Sequence, residues 1–293
     1  GTNRMRFSQV DFIDDTDVSS ALFEAVENWA REKGCDQVHG PLGFCDLDRE
    51  GMLVEGYDRR SQFFTYYNYP YYNEHLARLG YEKDIDWVEY KIQVPDPDSS
   101  SYKMLDQIAK RAMERSQYHK VHLDRRSEYK PYITKCFNLV NTAYAHLYGV
   151  VELVNEQIEK YGDKFIPLIN PDYCCIVLDK DEEVAGFGVC CPSVAEALKR
   201  CRGRLFPVGW AGILKSLHKN IAIDMLLIAV RPELRGKGVN AVIMDHIMKS
   251  CIKNGIQYAE TGPHLETNSR VISQWKNFDI EQHKRRRCYL KNI

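Results

Sequence analysis

Residues 224–241 constrain the fold of this chain more than any other stretch. An apolar run, residues 225–230, meets a turn marked by Pro232, then Arg235, Gly236, Lys237 and Gly238, then an amphipathic run from Val239 to Ile252. This order predicts a strand, a glycine loop and a helix. Glycines let backbone N–H groups approach a ligand closely. The first turn of a helix carries unsatisfied donors and partial positive charge, so the junction suits a phosphate or pyrophosphate. Arg235 and Lys237 add formal charge.

Spacing separates the kinds of anion loop. A Walker-type loop needs Gly, four residues, then Gly-Lys-Ser/Thr, and a dinucleotide fingerprint needs three glycines more widely spaced. Neither is present. The order Val-x-Pro-x-x-Arg-Gly-Lys-Gly-Val that ends at Val239 resembles the acetyl-CoA pyrophosphate loop of the GNAT N-acetyltransferase superfamily, whose signature is Gln/Arg-x-x-Gly-x-Gly/Ala. Asn240 departs from that pattern, standing where the family has a small residue. The resemblance implies that the backbone of Leu227, Ile228, Ala229 and Val230 pairs with the pantetheine arm. It implies that the N–H groups of Gly236, Lys237, Gly238, Val239 and Asn240 hold the pyrophosphate, and that Asn268 contacts cofactor. The cofactor so implied is acetyl-CoA or another acyl-CoA, serving as acyl donor. The family often places a tyrosine, as general acid, seven residues after that Asn; Trp275 stands there.

Net charge is −1, so there is no global field for nucleic acid or an anionic membrane, and any such contact must be local. Ten cysteines show no repeated metal-ligand spacing. The adjacent pairs Cys174-Cys175 and Cys190-Cys191 lie in strand-like runs, where neighbours point to opposite faces, which suits neither a shared zinc nor a disulfide. We expect reduced core thiols, no metal and a cytoplasmic protein. No run approaches the roughly 20 apolar residues of a membrane span, and no signal-peptide pattern opens the chain.

An internal repeat sets the expected architecture. Residues 32–41 parallel residues 252–263: helix, glycine, strand, Gly-Pro. Each copy follows a strand and a helix and precedes a short helix and a final strand. We therefore expect an α/β (α+β) fold with mixed, mostly antiparallel central sheets flanked by helices, in two acyl-CoA N-acyltransferase-like modules. The first, residues 1–95, is degenerate and lacks its front half, so a preceding segment is expected to be missing. Residues 96–102, with Asp, Pro and Ser, read as a linker, and residues 103–293 as the acyl-CoA-binding module. Asp14, Asp15 and Asp17 of the first module align near Arg235, Lys237 and Gly238 of the second. Carboxylates there would repel a pyrophosphate.

Acyl transfer to an amine needs a base. The candidates are Glu260, read as directly following a strand, and His264 after Gly-Pro, which has a suitable intrinsic pKa. Asp224, earlier on the opening strand, is ranked third, for orienting substrate. Glu266 and Tyr289 lie near the same strand ends. The aromatic stretch 57–72 reads as core packing or as a pocket wall. The basic run 283–287 reads as a solvated hairpin, or as an attractor for the CoA 3'-phosphate. The expected function is N-acyl transfer from CoA to a small-molecule or peptide amine. The rival is a non-catalytic acyl-CoA-binding or interaction module, which Trp275 favours. Neither a membrane nor nucleic acid is among the expected partners, and oligomerisation is left open.

Overall fold

A computed structural model describes residues 3–45 and 47–293, leaving out the side chains of Lys164, Phe165 and Leu168. The chain opens with β1 (Arg4–Arg6), α1 (Thr16–Glu32), β2 (Gln37–Gly40), β3 (Met52–Glu55), α2 (Tyr71–Arg78) and β4 (Glu82–Gln93). It continues through α3 (Ser100–Ser116), β5 (His119–Lys120), α4 (Lys130–Tyr144), α5 (Asn155–Phe165), β6 (Cys174–Leu178) and β7 (Val184–Pro192). Then follow α6 (Ala195–Arg200), α7 (Gly209–His218), β8 (Ala222–Val230), α8 (Val239–Lys253) and β9 (Tyr258–Thr261). The last elements are β10 (His264–Leu265), α9 (Ser269–Ser273) and β11 (Ile280–Asn292).

Two compact units form. The first comprises Gly1–Tyr90, Pro263–Ser273 and Gln282–Ile293; the second comprises Lys91–Gly262 and Gln274–Glu281. The expected second module ran unbroken to residue 293. The difference arises because β11 returns to pair antiparallel with β2 and β3, giving its side chains to the first unit.

In the first unit β1 and β2 are parallel, joined by α1. Asp15 starts that helix: its carboxylate accepts from the N–H groups of Asp17 (2.8 Å) and Val18 (3.2 Å). The buried face of α1 places Phe23 edge-on against Phe7 (5.2 Å) and Tyr81 (5.1 Å). β3 precedes the aromatic stretch of residues 57–72. Tyr72 of the aromatic run is core, packed on Phe12, whereas Tyr67 and Tyr69 are exposed, so the stretch is neither wholly core nor a single wall.

The basic run is not a hairpin. It lies inside β11, and the alternation of a strand splits it between two faces. Lys284 and Arg286 point inward and clasp Glu89 of β4 at 2.8 and 2.5 Å, all three fully buried. Arg285 and Arg287 point the other way and share Asp86, at 3.1 and 2.8 Å, with Lys83 (3.1 Å) beside them. These cations are consumed internally, which removes both the solvated-face and the CoA-phosphate readings of the run.

In the second unit the sheet order is β9-β8-β7-β6-β5, with the last residues of β4 beside β9. β8 and β9 are parallel and linked by α8; the other described pairings here are antiparallel. The parallel strand–helix–strand unit therefore occurs twice, as the repeat predicted. Helix α8 buries Val239, Val242, Ile243 and Ile247 on the sheet. Gly186 and Gly188 of β7 permit that approach: a Cβ on Gly188 would lie 2.4 Å from Ile243 Cγ2. Burial pushes the thiols of Cys136, Cys175 and Cys251 up to about 12, so they stay neutral core groups.

Removing one partner of a buried ion cluster strands the others, at about 3–5 kcal/mol. Glu89→Gln is therefore expected to lower stability by about that amount in urea unfolding, whereas Arg285→Gln, on the half-exposed face, costs much less. Burial alone would raise the Glu89 pKa, but Arg286 and Lys284 outweigh it and hold the group below its ordinary value of 4.5. A depressed folded-state pKa gives stability that is complete above the unfolded value and is lost as pH falls through the folded one. Unfolding measured across this acid range should show the loss in the wild type and not in Glu89→Gln.

Candidate functional site: a forked sheet and an uncapped helix

β8 and β9 pair in parallel from Ala222–Tyr258 to Met225–Thr261 and no further. On the other side of β8 the ladder to β7 continues to Val230, but it contains a bulge: Val189 faces Leu227 and Cys190 faces Met225, leaving Leu226 as the extra residue. A bulge re-aims side chains and increases local twist. The one at Leu226 coincides with the last residue pair before β8 parts from β9. Beyond it, residues 226–230 have β7 on one side and an open edge on the other. The Tyr144 hydroxyl donates to the Ile228 carbonyl at 2.8 Å.

The glycine loop follows this open strand. Gly236 and Gly238 have φ of +79° and +87°, in the left-handed region where a side chain is strained. Gly238 is also pressed against α3: a Cβ there would lie 2.5 Å from the Ala112 Cβ. Gly238 occupies the N-cap position of α8 and offers no side-chain cap, so the first N–H groups of this helix point out of its end without the oxygen that Asp15 supplies to α1. Asn240, the departure from the family pattern, turns its amide Nδ2 to Gln274 Oε1 at 2.7 Å. Arg235 donates to the Ala143 carbonyl at 2.9 Å near the end of α4, where a cation is favourable, and Lys237 is exposed beside the loop.

Of the three candidate acid–base residues, the structure brings two together. Asp224 and Glu260 are register partners across β8 and β9, both buried, one residue short of the fork. Glu260 is thus inside β9 rather than after it. Cys191 and Lys91 continue the same row on either side. His264 belongs to the first unit, on β10 opposite Val88. Burial lowers its pKa to about 4 against an opposing pull from Glu89, which makes it a much weaker base than a histidine of ordinary pKa. Asn268, also in the first unit, caps α9 through its Oδ1, which accepts from Val271 N at 3.4 Å. Trp275 is buried in the second unit against Phe278, and its indole N–H has no hydrogen-bond partner among the described residues. Among the described residues one possible ligand triad, His39, Asp84 and Cys288, lies within 4.8 Å in the first unit. Arg4 pairs with Asp84 at 3.4 Å, and burial with Arg6 and Arg4 lowers His39 to about 4, so positive charge already occupies that place.

A cavity of about 60 Å³ in the second unit has no signal in the sequence. Tyr129, Ile133 and Cys136 of the α4 region, Ile176 of β6, and Leu226 and Leu227 of β8 are among its lining residues. Neighbours on a regular strand face opposite ways; the bulge accounts for Leu226 and Leu227 meeting one space. The apolar face of α4 was legible as a helix face, but nothing in its spacing distinguishes a filled core from a hollow one.

The model of the acetyltransferase (GNAT) family matches residues 136–273. Protein YghO of Escherichia coli K12 is 28% identical over 301 residues, covering 100% of this chain and 75% of that protein. A bacterial ceramide synthase of Caulobacter vibrioides is 25% identical over 295 residues, covering 98% and 75%. Among solved structures, a GCN5-related N-acetyltransferase from Sphaerobacter thermophilus superposes with a TM-score of 0.52 at 9% identity, over 94% of this chain and 68% of that one. A tandem GNAT protein from the clavulanic acid biosynthesis pathway superposes with a TM-score of 0.50 at 12% identity, over 100% and 76%. The segment that the acetyltransferase (GNAT) family model matches holds the forked β8–α8–β9 unit, and the chain shares its fold with these GNAT structures.

Proposed function

We propose that the chain transfers an acyl group from a CoA thioester to an amine, and that this acyl group is longer than acetyl. The observation that carries the reading is the Leu226 bulge, which opens the edge of β8 and turns two leucines onto the cavity. A pantetheine arm along Leu227, Ile228, Ala229 and Val230 would present its pyrophosphate to the N–H groups from Gly236 to Asn240, with Lys237 adding charge. The acyl tail would enter the cavity, whose volume of about 60 Å³ has room for a few methylenes.

Glu260 is the proposed base and Asp224 the group that orients it. The amine nitrogen attacks the thioester carbonyl, its proton passes to Glu260, the carbon–sulfur bond breaks, and the proton returns to the departing thiolate. Trp275, an indole, has no proton to give in a useful range, so the returning proton takes the place of a dedicated acid. His264, with a pKa of about 4, is less suited to accept the amine proton. One relative is named a ceramide synthase. A ceramide is an amide of a long-chain amine, so amines of that class lead the panel to be tested.

Calorimetry with CoA and acyl-CoA should detect binding, weakened on the order of tenfold by Lys237→Glu. In a thiol-release assay KM should fall about fourfold per added methylene until the cavity is filled, and Cys136→Phe should flatten the series. Glu260→Gln should lower kcat by roughly 10²–10⁴ with little change in KM. Absence of CoA affinity at every chain length would refute the reading. Binding with no thiol release over the amine panel would leave the non-catalytic alternative that Trp275 favours.

A further inference from the structure

Between β7 and β8 the chain leaves the sheet and forms a surface that neither the fold nor the proposed reaction uses. Helix α7 contains Trp210, Ile213, Leu214 and Leu217, yet none of its residues is buried. The turn before it, residues 202–208, is exposed at every position. Phe206 is 82% and Val208 73% exposed, with Leu205, Trp210 and Leu214 at 46–49%. Single exposed hydrophobes are ordinary, but five large ones within ten residues make a patch that implies an occupant.

The surface is also built rather than loose. Backbone bonds run from Gly203 N to Leu198 O (3.0 Å), Arg204 N to Cys201 O (2.9 Å) and Trp210 N to Leu205 O (2.9 Å). The Trp210 indole N–H donates to the Pro207 carbonyl at 2.9 Å. A Cβ on Gly209 would sit 2.0 Å from the Arg204 carbonyl oxygen, so the turn closes tightly on itself. The apolar tip is therefore presented without a separate ordering step.

Charge identifies the occupant. Around the tip stand Lys199, Arg200, Arg202, Arg204, Lys215 and Lys219, against a single acid, Glu196. That acid is paired with Arg200 at 3.2 Å. A chain whose total is −1 thus concentrates cations where it exposes Phe206 and Val208. An apolar wedge ringed by lysine and arginine fits the boundary of an anionic bilayer, where aliphatic and aromatic groups enter the acyl region and the cations meet headgroup phosphates. We propose that the α6–α7 segment is a peripheral docking surface for anionic lipid, led by Phe206 and Val208. No helix among the described residues is long and apolar enough to cross a membrane, and docking of this kind needs none. The proposal does not depend on the acyl-transfer reading.

The test is flotation of the full chain with phosphatidylcholine vesicles, with and without phosphatidylglycerol. Binding is expected to the anionic vesicles and to fall with salt. It should fall about fivefold for each of Arg202→Ala and Arg204→Ala, and at least about tenfold for Phe206→Ser with Val208→Ser. Circular dichroism of the variants checks that they fold; substitutions at such exposed sites are not expected to disturb the core. Three outcomes would overturn the proposal. One is no binding to anionic vesicles. Another is equal binding to neutral ones with no effect of the arginine substitutions. The third is a dimer, seen by gel filtration, that the Phe206/Val208 variant dissolves while vesicle binding is absent, which would make the patch a contact with a second copy.

Discussion

A single extra residue, Leu226, governs the second unit. Two strands that begin in parallel register would otherwise continue to pair and close the sheet with backbone hydrogen bonds. The bulge instead increases twist where the β8–β9 ladder ends, so the strand keeps β7 on one side and exposes an edge on the other. The same irregularity brings two successive leucines to one cavity, and it places a pair of buried carboxylates, Asp224 and Glu260, just inside the fork. Open edge, apolar hollow and titratable row are consequences of one local departure from strand geometry.

The two parallel strand–helix–strand units show how the same local order serves different ends. In the first unit the helix N-terminus is closed by the Asp15 carboxylate, which satisfies the donors that a bound anion would need. In the second the cap is Gly238, whose left-handed backbone turns the chain without supplying an acceptor. The difference is chemical rather than topological. Asp14, Asp15 and Asp17 surround the start of one helix; two glycines and two cations precede the other.

Much of this was legible in the sequence because it follows from periodicity and from turn residues. The strand, glycine loop and helix of residues 224–253 and the repeat appear where the pattern placed them, whereas the expected linker, residues 96–102, overlaps the start of α3 at Ser100. What was not legible depended on partners distant in sequence. Residues 283–287 look like a solvated charge run. Only pairing with β4 reveals that alternate members reach Glu89 on one face and Asp86 on the other, although the period of two was present in the run itself. The bulge was hidden because an extra residue inside a continuous apolar run changes neither composition nor hydrophobicity. The cavity depends on how α4 and α5 sit on β6 and β7, and the weak basicity of His264 on burial. The departure at Asn240 was visible, but its accommodation by Gln274 was not.

The central claim is that the open edge of β8 and the uncapped end of α8 form one binding surface for a CoA thioester. Amide hydrogen exchange of the full chain, with and without a long-chain acyl-CoA, tests it most directly. The account predicts slowed exchange at residues 226–230 and 236–241 together, with α1 near Asp15 unchanged. Unchanged exchange in both segments at saturating ligand, or protection only elsewhere, would contradict it.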